Sequence, residues 1–394
     1  MLPMQLGYIL TAYLVTVPGT RLLRIAMFPL WVCCAYRMAT KLTLGPGQDL
    51  GLMTMTSTII MRIATWTFES TVYVRTGKNR KLNEPRTLSA ALWDTGDLCF
   101  NFRGIGWNWG HGIHVPPSQI PKNTPPDQKR RAFLYIALRD WLLNGLALEA
   151  LIVLKDLLFT LNRADPLTLA YTLPPALRRL LESLVYPLQT YFNLSAWSKW
   201  CALFGVFVVR QDPDEWPPFF DSPLRATSLS ELWGKRWHLG LQQFLCGTGG
   251  RLFNVLFGRV GYIMGTFIMS GLFHDAGLLG LAREDGFCHG CNLTLFFVMN
   301  GVGIVLEGLF RRVTGKRVGG LNGTVWLFLW ALFWFQYSMS TECLKMLYFV
   351  TKYNWAVMPV LQVAYILKWV GLVPTFLVSY ANTLDDLEGF KWRR

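Results

Sequence analysis

Two histidines are placed where an imidazole does chemistry. His238 closes SLSELWGKRWH, and His274 lies inside SGLFHDAG, 36 positions on, beyond a basic, Gly-rich stretch and the apolar run LFNVLFGRVGYIMGTFIMSGLF. Ionisable groups at hydrocarbon depth face a protein interior or a water-filled cavity, and by default they mark a functional site. A neutral imidazole accepts a proton, so it can turn a hydroxyl into a nucleophile. Three roles are open to the adjoining Asp275: orienting the imidazole, neutralising it, or marking the end of a helix. His238 sits beside Trp233 and Trp237, with Lys235 and Arg236 in the same short motif.

Helices must carry these groups. Ser228, followed three positions later by Glu231, forms a capping box and predicts a helix from Leu229. On that helix Trp233, Trp237 and Leu241 recur every four residues along one face, while Lys235 and Arg236 project elsewhere. It is expected to lie at a membrane surface or to dip into it. The stretch Leu252 to Leu281 reads as one helix, and a rise of ~1.5 Å per residue carries His274 into the hydrocarbon depth.

The bulk of the chain supports that setting. Of 394 residues 52% are hydrophobic and 16% charged, and mean hydropathy is +0.29, which excludes an ordinary soluble domain. The expected fold is all-α: a polytopic integral membrane protein with about eight or nine transmembrane helices around a buried reaction chamber. Candidate spans are Leu6 to Val17, Ile25 to Tyr36, Leu50 to Phe68, Phe133 to Leu161, Leu184 to Val209, the run carrying His274, Leu293 to Phe310, Val318 to Thr341 and Ala356 to Tyr380. Arg62 interrupts the third and must snorkel or face other helices. Residues 1–68 form an N-terminal group of transmembrane helices, 69–131 a basic segment and 132–394 the catalytic region.

Charge sets the sides. The 69–131 segment has ten Lys or Arg against five Asp or Glu, so the positive-inside rule assigns it to the cytosol. Counting crossings puts WGKRWH and the Arg311 to Arg317 connection on the same side and His274 in the far half of its helix, so the two histidines meet only if the motif dips inward or the pocket is a tunnel. The net charge of +14 follows from basic connections between spans, which attract anionic lipid head groups or a phosphate-bearing substrate rather than nucleic acid.

Other groups carry less chemistry. Cys288 and Cys291 are the only cysteines at a suggestive spacing, and no second pair completes a zinc site. His111 and His114 lack carboxylate or thiol companions in RGIGWNWGHGIH, so no metal is expected there either. That loop has glycines for close backbone approach, and its Trp107 and Trp109 can pack at an interface or on a ligand. The glycines of CGTGG, Gly247, Gly249 and Gly250, could let amides approach phosphate, though no P-loop is present.

Together these residues carry a resemblance. Trp233, Gly234, Arg236, Trp237 and His238, followed by His274 at the end of Ser270-Gly271-Leu272-Phe273-His274, resemble the signature of the wax-synthase branch of the membrane-bound O-acyltransferases. The resemblance implies that His274 is catalytic and that His238 stands where the family has a functional partner, an Asn or in some members a His. The stretch Arg103 to Gly110 resembles one seen in fungal members that modify secondary metabolites, and the likeness runs from about Asp94 to Phe310.

The implied reaction moves an acyl group, acetyl first among the choices, from acyl-CoA to the hydroxyl of a lipophilic alcohol such as a terpenoid. His274 and His238 are the expected catalytic residues; Trp233 and Trp237 shape the chamber, and Lys235, Arg236 and Arg251 are candidate partners for the donor's phosphates. No cofactor is expected to be permanently bound, acyl-CoA being a co-substrate, and the endoplasmic reticulum is the expected membrane. A long-chain wax-ester synthase is the same enzyme with another substrate. A transporter is a different class, unsupported by any inverted repeat. An integral-membrane terpene cyclase would rely on intramembrane acids, Glu149 or Glu307, rather than on His274.

Overall fold

The computed structural model describes residues 2–44, 46–76, 87–110, 112–121, 123–155, 174–282, 292–339, 358–360 and 362–363. Among them the regular structure is helical, apart from one antiparallel bridge between Arg75 and Trp107. In chain order the helices are α1 (Leu2–Leu14), α2 (Arg21–Lys41), α3 (Pro46–Phe68), α4 (Leu88–Phe100), α5 (Pro126–Lys155), α6 (Pro175–Leu203), α7 (Leu229–Glu231), α8 (Gln242–Leu245), α9 (Arg251–Ala282), α10 (Leu293–Thr314) and α11 (Gly320–Ser338). The chain forms two units, one of Met1–Pro116 with Pro218–Val350, the other of Pro117–Pro217 with Thr351–Arg394.

Many large apolar side chains point outward, among them Leu22, Val255 and Val313 at 80%, 83% and 77% exposure. Apolar surface on that scale faces lipid, and the protein is an integral membrane protein. The span count is a different matter. Three stretches among the described residues are long and apolar enough to cross a bilayer: α2, Gln242–Gly280 and α10. Of the other expected spans, α1 has only 13 residues and α5 carries charge at Arg139, Asp140 and Glu149, while Ala356 to Tyr380 lies almost wholly outside the described residues.

In the second unit α5 packs on α6. Asp140 accepts from Arg139 at 2.7 Å and from Lys199 of α6 at 2.9 Å, so the charges within these helices neutralise one another. Glu149 accepts from the Val360 amide at 3.2 Å, a structural use of the acid.

The candidate site residues lie in the first unit, whose defining feature is a turn the sequence reading did not expect. Leu252 to Leu281 is not one straight helix. At Phe257 (φ −132°, ψ 16°) and Gly258 (φ 57°, ψ −145°) the backbone leaves helical geometry, and Gly258 takes a left-handed φ that side chains disfavour. The two arms then fold back on each other: a Cβ at Gly265 would meet the Gly249 carbonyl, and one at Gly261 would meet the Phe253 carbonyl. These pairs are centred on residue 257, as an antiparallel helical hairpin requires. Small residues at such a crossing let backbones touch, the usual device where no hydrophobic effect drives helices together in lipid.

The hairpin corrects two expectations. Gly249 and Gly250 are buried against the second arm, against Gly265 and Thr266, so they are packing residues rather than a phosphate cradle. The count of sides treated this stretch as a single crossing, and the positions it assigned beyond His238 no longer follow from it. A Leu at Gly265 should drive the arms apart and cost about 3 kcal/mol or more, read as a fall in the detergent-solubilised protein's melting temperature; an unchanged melting temperature would show that the arms do not touch. The second arm, which carries His274, packs on α3 and α10.

Candidate active site

The SLSELWGKRWH motif starts as a helix and then changes course. The Ser228 hydroxyl accepts from the Glu231 amide at 3.1 Å, as a capping box requires. The Glu231 carboxylate reaches one residue further back than expected, accepting from the Thr227 amide at 2.8 Å, and it also holds the Arg236 Nε at 2.8 Å. From α10, Glu307 accepts from the Leu229 and Ser230 amides at 2.7 and 3.0 Å and from Trp326 Nε1 at 3.2 Å. Glu307 is therefore a helix cap.

The expected helix through Leu241 does not form. After α7 the chain makes one π-helical turn, Leu232–Arg236, and Trp237 is extended (φ −86°, ψ 142°). Pairing with residues 219–221 draws it out: the Asp221 amide donates to the Arg236 carbonyl at 3.0 Å, and the Leu239 amide to the Phe219 carbonyl at 3.4 Å. His238 thus stands on an extended segment. Trp233 and Trp237 still meet, with ring centroids 6.1 Å apart, while Leu241 packs elsewhere, against Phe244 and Phe273.

The 219–221 segment is itself braced by the loop after α4. Arg103 donates to the Pro218 carbonyl at 2.7 Å, and His114 Nε2 lies 2.6 Å from Asp221. Burial pulls the Arg103 guanidinium down to about 10. Arg236 donates to the Asp221 carbonyl at 3.0 Å, so the two sequence motifs meet at Asp221. His111, the other histidine of that loop, and Cys288 and Cys291 lie outside the described residues.

His238 is enclosed by aromatic rings. Phe219 lies nearly parallel at 6.2 Å, Phe220 stands edge-on at 6.2 Å and Trp237 is at 5.8 Å. Its Nδ1 is buried without a hydrogen-bond partner. Burial first, and electrostatic interaction with the neighbouring His274 second, pull the His238 imidazole down to about 3, so it is neutral at physiological pH. The fold thereby brings the two histidines within electrostatic range.

On the second arm of α9, His274 Nδ1 is 2.6 Å from the Ser270 carbonyl. A carbonyl can only accept, so Nδ1 carries the hydrogen and Nε2 presents a lone pair. Phe297 of α10 stacks on the ring at 4.5 Å and 26°, and Phe273 stands edge-on at 5.2 Å. Phe297 in turn contacts Trp233 at 5.6 Å, and Trp233 also packs on Phe267 and Phe296. The Trp233 indole is fixed by donating to Asn300 at 3.0 Å, and Asn300 is fully buried. Asp275 takes the third of its open roles in altered form: it accepts from the Leu293 and Thr294 amides at 2.8 and 3.1 Å, capping the start of α10. That cap ties the His274 arm to the helix that supplies Phe297.

The expected cations are used unevenly. Lys235 is exposed and holds no ion pair among the described residues. Arg236 is paired with Glu231 at 2.7 Å, and Arg251 with Glu69 at 2.7 Å. Sequence reading missed Phe219, which packs on His238, Phe297, which stacks on His274, Asn300, which accepts from Trp233, and Asp221, which holds Arg236 and His114. The acid in PPFFDSP was the one readable sign, as a lone carboxylate between two aromatics and a proline turn.

Comparison with known proteins agrees with the paired motifs. Residues 216–299 match the model of the membrane bound O-acyl transferase family, and both histidines fall inside that segment. The chain is 26% identical to acetyltransferase aurG of Calcarisporium arbuscula over 41% of this chain and 42% of that relative. It is 38% identical to probable long-chain-alcohol O-fatty-acyltransferase 9 of Arabidopsis thaliana over 22% of this chain and 26% of the relative. With acetyltransferase ple2 of Rhodocybe pseudopiperita it shares 26% identity over 66% of this chain and 68% of the relative. The matched stretches thus span less than half the length of the first two relatives. No solved structure matches the chain. The resemblance to the membrane-bound O-acyltransferases is borne out over the segment that carries the site.

Proposed function

We propose that the protein is an acyl-CoA-dependent O-acyltransferase that moves an acetyl group to the hydroxyl of a lipophilic secondary metabolite such as a terpenoid, with His274 as general base. The observation that carries this reading is the tautomer of His274: Nδ1 donates to Ser270, which leaves a basic Nε2 beside the aromatic cluster of Trp233 and Phe297. Nε2 takes the proton of the acceptor hydroxyl as its oxygen attacks the thioester carbonyl. The carbon–sulfur bond then breaks, and the imidazolium returns the proton to the departing thiolate, giving ester and free CoA. Proton transfer of this kind contributes about 100- to 10,000-fold.

His238, neutral and with an unpartnered buried nitrogen, supplies a polar contact to the reacting groups, either positioning the acceptor or donating to the developing oxyanion. Exposed Lys235 is the cation of its motif left to meet the donor's phosphates. Three fungal relatives named as acetyltransferases, aurG, ple2 and TRI7 of Fusarium sporotrichioides, support an acetyl donor. Two plant relatives named as probable long-chain-alcohol O-fatty-acyltransferases keep the wax-ester synthase as the second reading.

Donor length separates the two. Microsomes containing the protein, given labelled acetyl-CoA or palmitoyl-CoA with a panel of terpenoid, sterol and fatty alcohols, should form acetyl esters of a polycyclic alcohol; palmitoyl esters of straight-chain alcohols would instead establish the wax-ester reading. Substrate crossing the membrane with no ester formed from any donor would overturn both in favour of transport.

A further inference from the structure

A cavity of about 100 Å³ lies apart from the two imidazoles, walled by Arg62, Thr65, Trp109, Gln243, Phe244 and Arg251 among others. That is room for several waters, and so for a small tetrahedral anion. Its polar lining is rich in donors. Arg62 is 3% exposed and sits among the rings of Tyr8, Trp66 and Phe102, at 5.8, 4.8 and 4.7 Å from its guanidinium carbon. It donates through Nη2 to the Leu98 carbonyl and to the Asn101 carbonyl, the latter at 3.2 Å, while its Nε is buried without an acceptor. No carboxylate lies within ion-pair distance of it among the described residues. Nearby acids are taken: Glu69 holds Arg251 at 2.7 Å, and Asp97 holds Arg75 at 3.2 Å and Trp107 Nε1 at 2.7 Å.

Trp109 repeats the pattern. Its ring stacks on Tyr73 at 5.4 Å and 18°, which fixes the indole, yet its Nε1 is also buried with no acceptor. Indole and guanidinium nitrogens can only donate. A buried positive charge that has no counter-ion among the described residues, lining the same cavity as a second buried donor with no acceptor among them, is costly unless something fills that space. What fills it must accept hydrogen bonds and carry negative charge.

From these observations we infer that the cavity binds a phosphoryl group, the anion of Arg62 and Trp109. The donors come from α3, from the loop after α4 and from the first arm of the hairpin, so they surround the space from several directions. A tetrahedral oxyanion meets such an arrangement better than a planar carboxylate, which suits a fork in one plane. The site is one aromatic layer from the candidate chemistry: Phe244 in its wall packs on Phe273 at 6.2 Å, and Phe273 precedes His274. The phosphoryl group arrives on one of two carriers, an acyl-CoA or an anionic lipid head group. The binding itself does not depend on the acyltransferase reading.

The test uses the full chain in a phosphate-free, uncharged detergent, titrated with inorganic phosphate and followed by the broadening of its phosphorus resonance. Wild type should bind saturably, and both Arg62→Gln and Trp109→Phe should weaken binding about tenfold or more, the fold-change of one lost hydrogen bond to a charged group. Trp109→Phe keeps an aromatic ring beside Tyr73 while removing the indole N–H, so it reports binding even where Arg62→Gln fails to fold. His274→Ala should bind phosphate as wild type does, which separates this site from the catalytic reading. Displacement of bound phosphate by CoA identifies the acyl donor as the carrier, and displacement by phosphatidic acid identifies the lipid. Absence of saturable binding in wild type, or undiminished binding in Trp109→Phe, would overturn the inference.

Discussion

His274→Ala is expected to lower the turnover number for ester formation by about 100- to 10,000-fold while leaving protein level, melting temperature and the KM for acyl donor nearly unchanged. The size follows from the role, since an unassisted hydroxyl must lose its proton to water in an apolar chamber. The fold should tolerate the change because the imidazole's hydrogen bond is local, to the Ser270 carbonyl one turn back, and because Asp275 caps the start of α10. Acyl transfer is measured with labelled donor in microsomes at matched protein level. A loss smaller than about tenfold, below the usual range for a positioned base, would remove His274 from the chemistry.

His238 is expected to split two substitutions that a packing role would treat alike. Alanine leaves the reacting groups without a polar contact and should cost about 100- to 1,000-fold in turnover, the range for loss of one donor at an oxyanion. Asparagine, the partner implied by the family resemblance, can still donate and should keep activity within about tenfold of wild type. Equal losses in the two variants would mean that the ring only fills space between Phe219 and Trp237.

The same residue gives a pH signature. The enclosed imidazole is pulled down to about 3 in the folded protein, against the ordinary 6.5 when unfolded. Between those values the unfolded state binds the extra proton, so stability present above pH 6.5 is lost as the pH falls towards 3. His238→Asn should therefore show a shallower fall in melting temperature across that interval. In activity, any acid limb above pH 4 belongs to another group, and the asparagine variant should leave its midpoint unmoved.

His274 and the cavity are connected through the chain itself: the hairpin arm that lines the cavity is continuous with the arm that bears His274. Its tight crossing at Gly249 and Gly265 explains how both can come from so short a stretch. The loop after α4 plays a parallel part. Its Trp109 lines the cavity, and its Arg103 and His114 brace the segment beside His238.

Much of this was written locally in the chain. Ser228 with Glu231 announced a helix start, an imidazole in an apolar run marked a candidate site, and the composition announced a membrane, because caps, periodicity and hydropathy depend on neighbours within about four residues. Arg62 in an apolar helix demanded a polar or aromatic neighbour, though not which one. Tertiary structure alone decided the rest. Gly258 reads as an ordinary tolerated glycine, since both arms of the hairpin share one helical period and nothing local shows that they face each other. The extension of Trp237 is imposed by pairing with residues 219–221, Phe297 reaches His274 from the next helix, and Arg62 meets the edge of a cavity shared with Trp109. Such contacts depend on which faces meet across tens of residues, and that is settled by packing, close backbone approach and the satisfaction of buried charge, none of which leaves a periodic mark in the sequence.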